Sequence, residues 1–120
     1  MSNRRHAAER RGRRGEALAG LYLWLLGWRI LARRVQTVRG EVDLVVRKGG
    51  TLCMVEVKWR NRSADLATAI DAYRLRRVAE AAPLVAQRHG KAGDTIRIDV
   101  ILMSPWRWPQ RIENAWMPLS

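Results

Sequence analysis

The charged residues of Gly40-Glu41-Val42-Asp43 and Val55-Glu56-Val57-Lys58 are spaced so that a hairpin would gather Glu41, Asp43, Glu56 and Lys58 on one face. Val42 to Arg47 and Leu52 to Trp59 are rich in β-branched and apolar residues, and Gly49-Gly50 between them is a two-residue hairpin signal. With those glycines as the turn, Lys48 faces Thr51, and counting back sets Asp43 opposite Glu56 and Glu41 opposite Lys58. Directly opposed side chains start only ~4.5–5.5 Å apart, so the carboxylates of Asp43 and Glu56 nearly touch. Like charges there repel, the more so because Leu44, Val45, Met54, Val55 and Val57 promise a low-dielectric surround. A divalent cation bound by oxygen ligands would relieve the repulsion. Mg²⁺ takes one or two carboxylates and leaves its other positions to water and phosphate.

A blander arrangement uses the same residues: Glu41 and Lys58 as an ordinary cross-strand ion pair, with Asp43 and Glu56 at a solvated sheet end. The apolar segments on both sides speak against a freely solvated edge. Phosphodiester hydrolysis is chemistry these side chains can serve, since a bound cation acidifies water and offsets the charge that develops on the leaving oxygen. No Ser/His/Asp or Cys/His centre competes. His6 and His89 lie in basic stretches, and Cys53 lies inside a strand, where a free cysteine acts as a small hydrophobe.

The elements that must position these residues are legible from periodicity. A helix is expected from about Arg14 to Leu26, with Ala17, Leu18, Leu21 and Leu25 at helical spacing and Gly27 as terminator. Tyr22, Trp24 and Trp28 fit a core or interface. Trp28 to Val35 reads as a first strand and Gln36 to Arg39 as a loop. After the hairpin, Asn61 to Ala67 is a polar connection beside the acids, and Arg60 and Arg62 are placed to touch a phosphate. A second helix should run from an N-cap at Asp71 to Arg88, packing Leu75, Val78, Ala79, Ala82 and Val85 on the sheet and kinked or divided at Pro83. Thr95 to Met103 reads as a half-buried strand, and Arg111 to Trp116 as a short last one. Asp99 is expected to partner an arginine such as Arg60 in preference to ligating a metal. Trp106 and Trp108, interleaved with Arg107 and Arg111, could stack on unpaired bases or form a dimer contact.

The motif order has a known counterpart. Arg14-Gly15-Glu16-Ala17 on a first helix, Gly27-Trp28-Arg29-Ile30-Leu31-Ala32-Arg33 leading into a strand, Gly40-Glu41-Val42-Asp43-Leu44, then Val55-Glu56-Val57-Lys58-Trp59-Arg60 after a gap of twelve residues from Asp43, and Ile96-Arg97-Ile98-Asp99-Val100 resemble the YraN family. These are small bacterial endonuclease-like proteins of the restriction-endonuclease-like superfamily, similar in pattern to archaeal Holliday-junction resolvases. The resemblance spans about Arg14 to Trp116. It implies a mixed β-sheet flanked by helices in the order α-β-β-β-α-β-β. Asp43 and Glu56 would be metal ligands for Mg²⁺ or Mn²⁺, with the Val57 carbonyl as a third. Lys58 would hold or deprotonate the attacking water, and Glu16 would complete the metal shell. Arg74 stands where the family tends to have a lysine, keeping the charge but not the geometry. With Arg60 and Arg62 it is expected to contact nucleic acid, and a homodimer would suit symmetric cutting.

Length and composition bound the rest. One hundred and twenty residues, 48% of them hydrophobic, fit one folded domain, here residues 15–120, behind a flexible basic arm, residues 1–14, that carries six arginines. One cysteine permits neither an intrachain disulfide nor a zinc cluster, which suits the cytoplasm. The longest apolar run, Ala17 to Trp28, is too short to span a bilayer. It also lacks a small-residue cleavage site, so neither a membrane protein nor a secretory leader is expected. The net charge of +12 suits a polyphosphate partner, DNA ahead of RNA, although arginine-rich coding bias and membrane surfaces produce or attract the same charge. The expected function is a metal-dependent nuclease, with a non-catalytic nucleic-acid-binding or partner-binding module on the same fold as the alternative.

Overall fold

Alternate residues of the hairpin's second strand face opposite ways, and both sets are apolar, so the sheet needs cover on two sides. In the computed structural model, which describes residues 3–60 and 71–116, the chain runs α1 (Asn3–Leu25), β1 (Arg29–Gln36), β2 (Glu41–Lys48), β3 (Thr51–Trp59), α2 (Ala72–His89), β4 (Thr95–Met103) and β5 (Gln110–Ile112). This is the expected α-β-β-β-α-β-β order. The five strands form one mixed sheet in chain order, antiparallel at every pairing except β3 with β4. A parallel pair needs a crossover, and α2 supplies it. Leu52 and Met54 of β3 pack with Leu75, Val78, Ala81 and Val85 of α2, whereas Cys53 and Val55 pack with Ala19 and Leu23 of α1. One helix therefore covers each face.

The hairpin has the expected register, from Lys48 with Thr51 to Leu44 with Val55, and Gly49 adopts the left-handed φ of +59° that the tight turn demands. Asp71 caps α2 as expected, its carboxylate accepting the N–H groups of Tyr73 (3.0 Å) and Arg74 (3.3 Å). Asp71→Ala should cost about 1 kcal/mol of stability, to be read from urea unfolding; an unchanged midpoint would mean that the cap is idle. Pro83 does not divide α2. It lies on the exposed side, where its missing N–H disturbs no packed face.

Several expectations are corrected. The helix expected from about Arg14 begins at Asn3, because the alanines, arginines and glutamate before Arg14 are good helix formers. The residues at helical spacing are not the ones that pack: Ala19 and Leu23 are buried, while Ala17, Leu18, Leu21 and Leu25 are exposed, Leu25 by 68%. Small residues decide this. A Cβ on Gly15 would lie 3.4 Å from the Trp59 ring, so the Gly15-Ala19-Leu23 face lets the helix sit down on β3 where a leucine face would hold it off. Gly27, at φ +96°, ends the helix with Trp28 N–H donating to Leu23 O (2.9 Å) and Gly27 N–H to Trp24 O (3.0 Å). β4 is buried on both faces from Ile98 to Met103, with Ile98 and Val100 in the core under α2 and Ile101 and Met103 in the core under α1. β5 is shorter than expected, three residues.

Asp99 is buried, and its arginines are not Arg60. It accepts Arg97 Nε (3.0 Å) and Nη2 (2.9 Å), Arg111 Nε (3.0 Å) and the Asn114 N–H (2.9 Å). Arg60 is out of reach because Asp99 sits beside Val55 in the β3–β4 register, whereas Arg60 follows Trp59, which sits beside Met103. The Trp28 ring lies 5.3 Å from the Arg97 guanidinium and 5.5 Å from that of Arg111. Burial alone would raise the Asp99 carboxyl, but the Arg97 and Asn114 hydrogen bonds and both guanidinium charges outweigh it and hold it below the ordinary range.

Candidate active site

The two strands of the hairpin part company at the residues singled out above. Their ladder runs to Leu44 and Val55; beyond it β2 continues along β1 to the Glu41–Gln36 pair, and β3 along β4 to the Trp59–Met103 pair. The result is a fork. Asp43 bridges its apex, one carboxylate oxygen accepting the Val57 N–H at 2.8 Å. In an extended strand the N–H and C=O of one residue point to the same side, so the Val57 carbonyl faces the fork as well.

Glu56 is the unusual group. It is only 2% exposed. Its Oε1 is 2.7 Å from Arg74 Nη2, while Oε2 is buried with no hydrogen-bond partner. Buried carboxylate oxygens are rarely left so. Burial, then the charge of Asp43, pushes the Glu56 carboxyl up to about 7 against the opposing pull of Arg74 and Lys58. Asp43 is raised too, first by burial and then by the charge of Glu16, although the Val57 N–H works the other way. Without a cation, the pair retains a proton near neutrality. Lys58 is half-buried and makes no ion pair among the described residues, so the Glu41–Lys58 pair of the blander arrangement does not form.

Two carboxylates, one with an orphaned oxygen, beside a backbone carbonyl form an all-oxygen donor set that fits a hard divalent cation such as Mg²⁺ or Mn²⁺. Glu16 stands close enough to raise Asp43, yet its own oxygen accepts Arg34 Nε at 2.7 Å. Among the described residues no group of three or more His, Cys, Asp or Glu converges to hold a metal, so Glu16 flanks the pair while tied to Arg34. Sequence reasoning missed Arg34, whose φ of +51° follows a register shift between Ile30 and Ala32. Such bulges leave no mark in a run of strand-compatible residues.

The expected phosphate-contacting arginines differ in their surroundings. Arg74 is 46% exposed and engaged with Glu56. Arg60 is half-buried at the end of β3, its backbone N–H donating to Met103 O (2.9 Å) and its Nη1 to Trp59 O (3.3 Å). Arg62 lies outside the described residues. Tyr73 and Arg77 also belong to this region: with Glu41 and Arg74 they line a cavity of about 350 Å³, and Arg77 Nη1 donates to the Tyr73 hydroxyl at 3.2 Å. Gly40 permits that approach, since a Cβ there would lie 3.1 Å from the Arg77 carbonyl.

The raised Glu56 makes stability depend on pH in a definite direction. Between the ordinary value of 4.5 and about 7, the folded chain holds a proton that the unfolded chain has released. That contribution is full below about 4.5 and is lost as pH rises through about 7. Excess Mg²⁺ should therefore raise the melting temperature more at pH 8 than at pH 6, where it must first displace the proton. Thermal melts with Mg²⁺ or EDTA at both values check this, and an equal shift at both would remove the proton from the account.

A five-stranded mixed sheet with a helix on each face and paired acids at a fork defines an α/β protein consistent with the nuclease-like class. The profile described as "Uncharacterised protein family UPF0102" matches residues 15–103, and the chain belongs to that family, the YraN family of the motif resemblance. UPF0102 proteins of Rhizorhabdus wittichii, Sphingopyxis alaskensis and Erythrobacter litoralis are 57%, 54% and 52% identical to it. The matches cover 95%, 95% and 96% of this chain and 97%, 98% and 99% of those proteins. No helix among the described residues is long and apolar enough to cross a membrane.

Proposed function

We propose that the fork is the active site of a metal-dependent nuclease that hydrolyses phosphodiester bonds of DNA, including branched intermediates of repair or recombination. The observation that carries this reading is the buried Glu56 carboxylate, half paired with Arg74 and otherwise unsatisfied, set against Asp43 where two strands open. Asp43, Glu56 and the Val57 carbonyl would hold Mg²⁺ or Mn²⁺. A cation held there would supply positive charge and acidify water at neutral pH.

The chain's own groups do the rest. Lys58 follows Glu56 on the same side of β3, and its ammonium, in no ion pair among the described residues, orients or deprotonates the attacking water and offsets phosphate charge. Arg74, once Glu56 is otherwise neutralised, is released toward the phosphate backbone, as its exposure permits. Arg60 at the mouth of the fork adds a further donor, and the net charge of +12 draws a polyanion to the surface. Glu16, clamped by Arg34, keeps negative potential at Asp43.

The competing reading is a nucleic-acid-binding or partner-binding module. The Arg74–Glu56 pair favours it so far as it partly neutralises the acid without a cation. The experiment that separates them is incubation with labelled duplex, flap, fork, four-way-junction and single-stranded DNA in Mg²⁺, Mn²⁺ or EDTA. Metal-dependent cleavage of at least one substrate is expected; tight, salt-sensitive binding with no cleavage in any lane would transfer the reading to the module.

A further inference from the structure

Beyond the fork, one unexplained feature is apolar. Trp106 and Trp108 are exposed, with relative residue exposures of 102% and 85%, in a loop bounded by Pro105 and Pro109. Tryptophan is seldom presented to water in this way, and clustered exposure marks a binding surface. Trp106 is held at φ +63°, a conformation that non-glycine residues avoid unless the surroundings enforce it. Across from the loop lies the apolar stripe of α1 that the sheet leaves uncovered. Leu18, Leu21, Leu25, Trp59, Trp106 and Trp108 together line an open groove of about 470 Å³.

Position and charge select the occupant. The loop leaves β4 at Met103, which pairs with Trp59, the residue after Lys58, so groove and fork share one end of the sheet. Arg107 sits between the two tryptophans, and the whole chain carries +12. A partner that brings flat apolar rings on an anionic backbone matches that combination, whereas a purely apolar protein segment would leave Arg107 and the general positive field without a counterpart. We infer that the Trp106–Trp108 loop and the outer face of α1 form a seat for an unpaired nucleobase of single-stranded or branched nucleic acid, at the same end of the sheet as the phosphate-cleaving fork and on the opposite face. Aromatic stacking of this kind is tolerant of base identity. It would favour strands whose bases are already unstacked, because a base inside a duplex must first be extruded. This inference adds a substrate feature to the proposed nuclease and rests on that reading only for the role of the fork.

The test is binding of fluorescein-labelled oligo-dT and of a blunt duplex of equal length, measured by anisotropy in EDTA. It compares the wild-type chain with Trp106→Ala/Trp108→Ala and Trp106→Phe/Trp108→Phe. The alanine pair should weaken oligo-dT binding about tenfold or more, leave duplex binding unchanged, and be largely rescued by phenylalanine. Unchanged oligo-dT affinity, equal losses on both probes, or no binding of oligo-dT by the wild-type chain would each overturn the seat. So would intact oligo-dT affinity with a halved particle mass in sedimentation equilibrium, which would assign the groove to a second copy. A chain that cuts no DNA yet shows the selective loss would overturn the nuclease and support the seat.

Discussion

Replacing Glu56 by Gln, or Asp43 by Asn, is expected to lower metal-dependent DNA cleavage by about a thousandfold or more. Loss of a cation's charge stabilisation amounts to several kcal/mol in the transition state, and each ~1.4 kcal/mol is a factor of ten in rate. Both substitutions keep shape while removing one negative charge from a buried, mutually repelling pair. The fold should therefore survive: Gln at 56 forfeits an ion pair to a half-exposed arginine, which contributes little, and removes a carboxylate whose burial is unfavourable. Single-turnover rates beside melting curves in EDTA give the answer. Cleavage that persists in both variants, with wild-type metal dependence, would move the active centre away from the fork.

Asp99→Ala is expected to be the most damaging substitution for stability. It would leave Arg97 and Arg111 facing a buried void and the Asn114 N–H without its acceptor. Removing one member of a buried charge cluster costs about 3–5 kcal/mol, or roughly 10–20 °C in melting temperature for a domain of this size. The pH dependence has the opposite sign to that of Glu56. Asp99 is held below the ordinary carboxylate range, so its contribution is present above the unfolded value of ~3.9 and disappears as pH falls through its lower folded value. In the variant, the acid limb of the stability profile should flatten. Differential scanning calorimetry from pH 3 to pH 8 would show this, and a loss under about 1 kcal/mol would mean that Arg97 and Arg111 reach water when released.

The hairpin was legible in the sequence because its information is local. Turn glycines and strand alternation fix a register, and the register brings Asp43 and Glu56 to the same place. Asp71 as a cap was legible for the same reason. What escaped depended on contacts distant in sequence. The choice between two apolar stripes on α1 is made by how closely Gly15 lets the helix approach Trp59, and a hydrophobic count favours the stripe with more leucines. Arg34 reaches Glu16 only through a bulge and a left-handed residue. Asp99 meets Arg111 because β4 and β5 pair, a fact absent from the local pattern around Asp99, whereas Arg97 lies two residues away on the same strand. The motif resemblance compensated for some of this by naming Glu16 and Lys58, but it had no information on what Arg74 touches.

The parting of β2 from β3 bears also on the order in which the molecule assembles. Asp43 and Glu56 belong to a single hairpin, and hairpins close in roughly 1–10 μs. The parallel β3–β4 pairing, by contrast, must wait for the α2 crossover, whose longer loop carries a larger entropic cost. The two acids thus need no docked helix to become neighbours, and in an undocked hairpin water would screen their repulsion. Burial under α2, which brings Arg74 to Glu56, comes with the later long-range contacts. Chain order in this protein thereby makes the acid pair a local contact and its enclosure a long-range one.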